Sequence, residues 1–493
     1  MPLRTSLAAA SLAGILLATT GAAQLSPARP TWSRTFGGPV SEQGLHDVRQ
    51  LPGGRLVVAG HSASFGGPST FNWLMNLDLA SGDVRFQQAS SSASGGFTDG
   101  AAIAADGGAL FLGRNVLDIL VKHDAWLVRV DAGGGPVWSR GFTSAGTGKH
   151  FLHDAAELAD GSWIAVGSIS ATDQPPQAAW VVRLAPDGAP LWQFRYGAGA
   201  AETAKAVTPT LDGGFAVAGW TSSTGAGSDD AWVLKIDATG AIEWQKTFGG
   251  PDADQAEDIV EFPDGSLAVV GSTNSLTPSG HAPWVLRVDA AGTLLWHRVI
   301  GDVWGDLGGA ARTEDGQLLV VGRVGQTGFP TNDLWSAKLD LRRGTVLWQR
   351  AYEGELGDLG SAALPLAGAG SGLLLGGTWG WGFPGESVWL QRTDPDGDLP
   401  GCNLVRTTKF PAIRPAIVAQ DGAAVRSPGG AQPLQVGAQS APSDTEVIDV
   451  CRSRAELSGA PAPIRPAVGL CSPRTAVALQ SSVPPSTALA TLK

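Results

Sequence analysis

A tryptophan returns at nearly fixed intervals along this chain. Trp73, Trp126, Trp180, Trp232, Trp284, Trp335 and Trp389 stand 51 to 54 residues apart, and most open a short alternating segment such as "WVLKID" (232–237) or "WVLRVD" (284–289). Self-similarity at a fixed long period means that one supersecondary unit is stacked on copies of itself, because a single unit cannot bury its apolar faces alone. Seven markers give seven units.

Turn signals divide each unit into four strands. In the copy from Glu257 to Gly301, "DIVEF" runs into a "PDG" turn, "SLAVVG" follows, and a loop of about ten residues leads to "WVLRVD". A D-x-x-G turn, "DAAG" (289–292), then leads to the last strand; it recurs as "DATG" (237–240), "DAGG" (131–134) and "PDG" (186–188). The Asp side chain accepts local backbone hydrogen bonds and the Gly takes the positive φ that a hairpin needs. The last strand carries a second aromatic twelve or thirteen residues after the marker, at Phe86, Trp138, Trp192, Trp244, Trp296 and Trp348. Alternation puts Trp232, Leu234 and Ile236 on one face, as packing against a neighbouring sheet requires. No sustained 3.6-residue period supports a helical solenoid, and the repeat is too long for a parallel β-helix.

The seventh unit is one strand short. After Trp389 comes "LQRTDPDGDLPGC", with Gly401 and Cys402 where the last strand should carry its aromatic. Conversely, "WSRTFGG" (32–38), a near copy of "WQKTFGG" (244–250), precedes every unit and so supplies what the seventh lacks. Radially arranged four-stranded sheets bury both faces against their neighbours, and one sheet shared by the two chain ends shuts the ring. The expected fold is therefore all-β, a seven-bladed β-propeller over residues 32–402 whose N-terminal strand closes the last blade. The 68 Gly, 18 Trp and only 2 Tyr agree with many short strands joined by glycine turns and filled by tryptophan.

The flanks differ in texture. Residues 1–23 combine Arg4, the apolar run "LAAASLAGILLA" (7–18) and the small residues "TGAA", which predicts a cleavable signal peptide and export to the cell surface, the periplasm or the medium. No later stretch has the roughly 20 apolar residues of a membrane span. The formal net charge of −11 disfavours nucleic acid and anionic membranes as partners. Residues 403–493 are rich in Pro, Ala, Ser and Gln, with a duplicated phrase at "AIRPAI" (412–417) and "PIRPAV" (463–468). This segment reads either as an unstructured tail or as a small hairpin of "PLQVGAQ" and "EVIDVC". Cys402, just before it, and Cys451 and Cys471 within it are the only cysteines, and they allow one disulfide in three pairings.

The element D-x-x-G-x-x-x-W, as in "DATGAIEW" (237–244) and "DAAGTLLW" (289–296), resembles the tryptophan-docked repeat of quinoprotein-like propellers, of the PQQ-like and WD40-like kind. The fuller pattern, "WQKTFGG" with "DGGFAVAG" and "DAWVLKID", is similar to blades of exported bacterial and archaeal surface proteins of mostly unknown function. The resemblance spans residues 32–402 and implies a propeller and export; because blade motifs describe packing, it implies no activity. Quinoprotein dehydrogenases are usually eight-bladed with calcium and quinone ligands inside the ring, and that ligand set does not map onto these residues. The sialidase Asp box has D-x-G where this chain has D-x-x-G.

Candidate sites are few. Equivalent positions at the start of the innermost strand hold Asp47, Asp154 and Asp258 in units one, three and five, with His46 and His153 just before two of them. A ring brings these to one channel mouth, where three carboxylates suit a hard cation or a positively charged group, unless each accepts backbone hydrogen bonds locally. "DPDGD" (394–398) has the look of a calcium loop but aligns with the D-x-x-G turn, and "GTGK" (146–149) lacks the spacing of a phosphate loop. Trp220, Trp304, Trp379 and Trp381 fall in long loops, where they form either a stacking platform for sugar or peptide or a cover for blade edges. No HExxH or G-x-S-x-G motif occurs. The resulting expectation is a monomeric, non-catalytic exported scaffold without cofactor that presents its long-loop face to a protein, glycan or surface partner. The rivals are an exported hydrolase, lyase or quinoprotein-type enzyme at the channel mouth, or a structural envelope component.

Overall fold

The structure is a computed structural model that describes residues 31–37, 43–63, 71–92, 96–118, 122–143, 148–170, 177–278, 280–325, 332–354, 357–367, 372–380, 386–402 and short stretches between 405 and 449. The repeat becomes seven antiparallel sheets, and no helix occurs among the described residues. Blade 4 runs Glu202–Pro209, Phe215–Thr221, Asp230–Ile236 and Ile242–Gly249 from the centre outward. The innermost strands of the other blades are Gln43–Leu51, Phe97–Ile103, His150–Glu157, Asp254–Glu261, Trp304–Arg312 and Leu359–Pro365. Each touches the next in a closed circuit that includes blade 7 against blade 1.

Two glycine requirements explain why the period is so regular. Each marker tryptophan lies across from a glycine of the second strand, as Trp232 does from Gly219 and Trp389 from Gly377. A Cβ at Gly219 would sit 1.9 Å from the Thr203 carbonyl oxygen of the first strand, so only glycine lets the two strands approach there. The second requirement is in the D-x-x-G turn. Asp289 Oδ1 accepts from the backbone N–H of Ala291 and Thr293, at 2.9 and 2.8 Å, and Gly292 adopts φ 79°. Trp244 of the preceding blade lies on that glycine and donates its Nε1 to the Ala290 carbonyl at 2.9 Å. The turn chemistry of one blade is thus the docking site for its neighbour. Trp138 on Pro186 and Trp296 on Leu341 repeat the contact.

The N-terminal strand closes the ring. Trp32–Gly37 pairs antiparallel with Ser387–Thr393, in the register Trp32↔Arg392 to Phe36↔Val388. Trp32 Nε1 donates to the Leu79 carbonyl of blade 1 at 3.0 Å, the same docking that Trp244 makes. The marker Trp389 donates Nε1 to Ser33 Oγ at 2.8 Å, which joins residues from opposite ends of the chain in the core. The apolar core lies between blades; one such layer holds Trp232, Leu234 and Ile236 with Ile164, Val166 and Val181 of blade 3.

The segment after Cys402 differs from the reading as a hairpin. Seven short strands, Val405–Thr407, Ala412–Ile413, Val418–Asp421, Val425–Pro428, Gln432–Leu434, Ala438–Pro442 and Glu446–Asp449, each add a fifth strand to one blade. They visit blades 6, 5, 4, 3, 2, 1 and finally 7, so the segment encircles the ring against the order of the blades. "PLQVGAQ" begins on blade 2 and "EVIDVC" begins on blade 7, and they do not pair with each other. The physical reason is the open edge. Every blade ends in a strand with unpaired backbone donors and acceptors, and successive pieces that start 6 to 8 residues apart step from one edge to the next. Thr408 anchors the start by accepting from Trp335 Nε1 and donating to Gln349 Oε1, both at 3.1 Å. Cys402 is disulfide-bonded. Cys451 and Cys471 lie outside the described residues, as does the signal peptide expected over residues 1–23.

Candidate functional site

Every innermost strand carries one extra residue at the same place. The register slips at His46, Asp99, His153, Lys205, Glu257, Gly308 and Ser361, one β-bulge per blade. A bulge turns two successive side chains toward the same side and bends the strand. It therefore directs the pairs His46–Asp47, His153–Asp154, Lys205–Ala206 and Glu257–Asp258 into a central cavity of about 300 Å³.

The residue after the bulge is Asp in blades 1, 3 and 5 and Gly or Ala in blades 2, 4, 6 and 7. Each Asp uses the space left by its small neighbour. Asp47 Oδ1 accepts from Val48 N–H and Oδ2 from Ile103 N–H of blade 2, both at 2.7 Å. Asp154 accepts from Ala155 and from Val207 of blade 4, both at 2.8 Å. Asp258 accepts from Ile259 and from Ala310 of blade 6, both at 2.7 Å. Each carboxylate thus staples its own blade to the next one. Between blades 7 and 1 the Ser361 hydroxyl does the equivalent, donating to the Leu45 carbonyl at 3.3 Å.

Enclosure by the ring sets the electrostatics. Burial raises the Asp47 carboxyl, and pushes Asp154 up to about 8 and Asp258 to about 7 against the lowering effect of the backbone donors. Burial also holds the imidazoles neutral: His153 falls to about 3, helped by Lys205 and Arg114, and His46 drops well below its usual range. His46 Nε2 shares a proton with His61 Nδ1 across 2.8 Å. Lys205 faces Glu257 at 3.4 Å. The mouth is thus polar, of nearly balanced charge, and large enough for a few water molecules or a small polar group.

The structure brings the five channel residues named from the sequence to one cavity, although the three carboxylates point into separate backbone pairs. Among the described residues no group of three or more His, Cys, Asp or Glu is placed to hold a metal ion. In the calcium-like string, Asp394 accepts from the N–H groups of Asp396 and Asp398, and Asp398 pairs with Arg350 at 2.6 Å. Among the described residues the loop tryptophans stand on three different blades, Trp220 on blade 4, Trp304 on blade 6 and Trp379 on blade 7. Trp379 stands edge-on to the marker Trp389 at 4.7 Å, and Trp304 lies beside Arg323 (4.9 Å) and His281 (5.1 Å) on blade 6. Trp220 is in the second strand of blade 4, and Trp381 lies outside the described residues.

Buried acids at the base of the long loops carry contacts that the sequence did not suggest; Asp358, 1% exposed, accepts from Gly380 N–H at 3.1 Å on blade 7. Glu202 and Asp254 are fully buried at the base of long loops. Glu202 accepts from Ala198 N–H and from the hydroxyls of Thr221 and Ser223; Asp254 accepts from Gly250 N–H and Ser275 Oγ, both at 2.7 Å, and from Thr273. They tie residues of the long loops of blades 4 and 5, Ser223 and Ser275 among them, to the starts of the innermost strands. Their only signal in the sequence is an acid four residues before the position after the bulge, at 202 before 206, 254 before 258 and 358 before 362.

No protein-family model matches the chain, and no curated protein matches it in sequence. Among solved structures it is similar to Chaetomium thermophilum Sqt1 bound to the N-terminus of ribosomal protein L10, at 11% identity over 71% of this chain and 96% of that one, with a TM-score of 0.37. A puromycin hydrolase is similar at 15% identity over 76% and 55% (TM-score 0.41), and the NanB sialidase from Streptococcus pneumoniae at 9% over 74% and 69% (TM-score 0.38). A peptide-binding protein and two enzymes are thus among the similar structures. Likeness at this level says nothing about what this chain binds or converts.

Proposed function

We propose that this chain is an exported, non-catalytic β-propeller that binds a protein, glycan or surface partner through its long-loop face. The observation that carries the reading is the use of the channel carboxylates. Both oxygens of Asp47, Asp154 and Asp258 accept backbone donors from two adjacent blades, so the acids that an enzyme would present to a substrate hold the ring together instead. The long loops of blades 4 and 5, tied down by Glu202 and Asp254, suit recognition, because a loop fixed by a rigid scaffold binds without first losing conformational entropy. Export rests on the composition of residues 1–23 and on the likeness of the tryptophan-docked blades to those of exported quinoprotein-like propellers. It agrees with a disulfide at Cys402.

The test is a glycan array and a panel of extracellular proteins probed with the mature chain, alongside assays with chromogenic ester, glycoside and alcohol substrates. Saturable binding to a defined ligand that persists in Asp154→Asn and Asp258→Asn supports the reading. Turnover that those two substitutions abolish would replace it with the channel-mouth enzyme.

A further inference from the structure

We propose that the seam between blades 4 and 5 holds a calcium ion between Asp230 and Asp254. Asp230 opens the third strand of blade 4 and Asp254 the innermost strand of blade 5. They are 1% and 0% exposed. Asp254 is served by Gly250 N–H and by the hydroxyls of Thr273 and Ser275. Asp230 Oδ2 accepts from Gly227 N–H at 3.1 Å, whereas Asp230 Oδ1 is buried with no hydrogen-bond donor. That oxygen is turned toward the other acid. A Cβ on Gly249 would stand 2.2 Å from Asp230 Oδ1 and 2.6 Å from Asp254 Oδ2, so the two oxygens flank one glycine and any side chain there would collide with both. Calcium–oxygen distances of about 2.3–2.6 Å let one ion touch the pair. The carbonyl oxygens of Gly250 and Asp252 crowd Gly227 at the same seam, and with water they can supply the rest of the roughly six to eight oxygens that calcium takes.

Charge balance at the equivalent seams supports a cation from outside the chain. Asp230 lies two residues before the marker Trp232, and Asp254 three before the bulge at Glu257. At the seam of blades 6 and 7 the same positions hold Asp333, before Trp335, and Asp358, before Ser361. At the other five seams at most one of the two positions is acidic. Where the two acids meet on blades 6 and 7 the chain brings its own cation: Arg406, in the fifth strand, lies 2.8 Å from Asp333 and 2.9 Å from Glu353. Arg406 stands opposite Ala351 in the register, and the equivalent residue of blade 4, Thr247, stands opposite the neutral Gln420. Among the described residues no basic side chain pairs with Asp230 or Asp254. Burial raises the Asp230 carboxyl against the Gly227 and Ala226 donors, and the Asp254 and Asp229 charges add to the rise. An ionised pair is therefore costly here unless a cation joins it.

The full chain, dialysed against EDTA, is titrated with calcium and followed by calorimetry and by its Tm. Saturable binding with a Tm rise of several degrees is expected. Asp230→Asn keeps the shape of the side chain and removes its charge, so it should weaken calcium binding about tenfold or more and lose the Tm rise, while Asp154→Asn in the channel binds as wild type does. Gln420→Arg places a fixed charge where Arg406 stands on blade 6. It should raise the Tm of the EDTA-dialysed protein and flatten its response to calcium, and it serves as the deciding variant if Asp230→Asn does not fold. The proposal is overturned by any of four results: no calcium binding to wild type, a Tm rise that potassium chloride of equal ionic strength reproduces, equal calcium affinity in Asp230→Asn, or an undiminished calcium response in Gln420→Arg. Stabilisation by acid with no response to calcium would likewise replace the ion with a proton shared by the two carboxyls.

Discussion

Replacing Trp32 by alanine tests whether the ring is sealed by its first strand. The indole is 5% exposed and packs with Phe36, Leu77, Leu79 and Leu390, which belong to the closing strand and to blades 1 and 7. Large-to-small changes at such sites cost about 3–5 kcal/mol. The Leu79 carbonyl that accepts from Trp32 also accepts from Arg392 at 2.9 Å, so it keeps a partner in the variant and the packing loss dominates. The lower half of that range, about 3–4 kcal/mol, is therefore expected. If the ring melts as one unit of about 400 residues, an unfolding entropy near 2.1 cal/mol/K per residue converts this to a fall in Tm of about 4 °C. Trp138→Ala removes the same docking contact at an interior seam where the indole is half-exposed, and should cost less. Thermal melts followed by tryptophan fluorescence and circular dichroism read both. A Trp32→Ala protein within 1 °C of wild type, or one less affected than Trp138→Ala, would show that the N-terminal strand is peripheral and that the ring closes without it.

Three further outcomes are expected. Ser33→Ala leaves the fully buried Trp389 indole N–H without its acceptor, which should cost about 1–3 kcal/mol in a urea titration; no change would mean that the bond across the closure contributes nothing. Asp154 titrates near 8 in the fold against an ordinary value of 3.8, so the folded chain holds that proton more tightly. Its stabilisation is complete below about pH 3.8 and is lost as pH rises toward 8, so wild type should lose stability relative to Asp154→Asn between pH 4 and 8. A gap that does not change with pH would mean that the backbone donors outweigh burial. Removing residues 403–493 uncovers a strand edge on every blade and should produce concentration-dependent association in light scattering, whereas a monodisperse truncated chain would mean that the edges protect themselves.

The blades were legible because their signals are local and repeated. The marker tryptophan, the glycine opposite it and the D-x-x-G turn lie within one unit, and seven copies average out the variation in each. The missing aromatic at Gly401 and the stray "WSRTFGG" even exposed the closure, since a repeat with a gap at one end and a surplus at the other has one simple solution. The channel acids were visible as positions, although not as contacts. That Asp258 reaches Ala310 depends on a bulge at Glu257 and on the small residue Gly309 in the next blade, which no single unit contains.

The C-terminal segment shows the other limit. Its pieces are two to five residues long, too short for a period-2 pattern, and pair with edges built from residues up to several hundred positions away. What the sequence by itself determined is the unit, its count and the order in which units follow, because strand alternation and turn geometry are short-range properties of the chain. Tertiary structure decided which carboxylate staples which blade, where Trp379 packs, and that a polar tail becomes a fifth strand on every sheet. Those outcomes depend on donors, acceptors and space that exist only once neighbouring blades stand side by side.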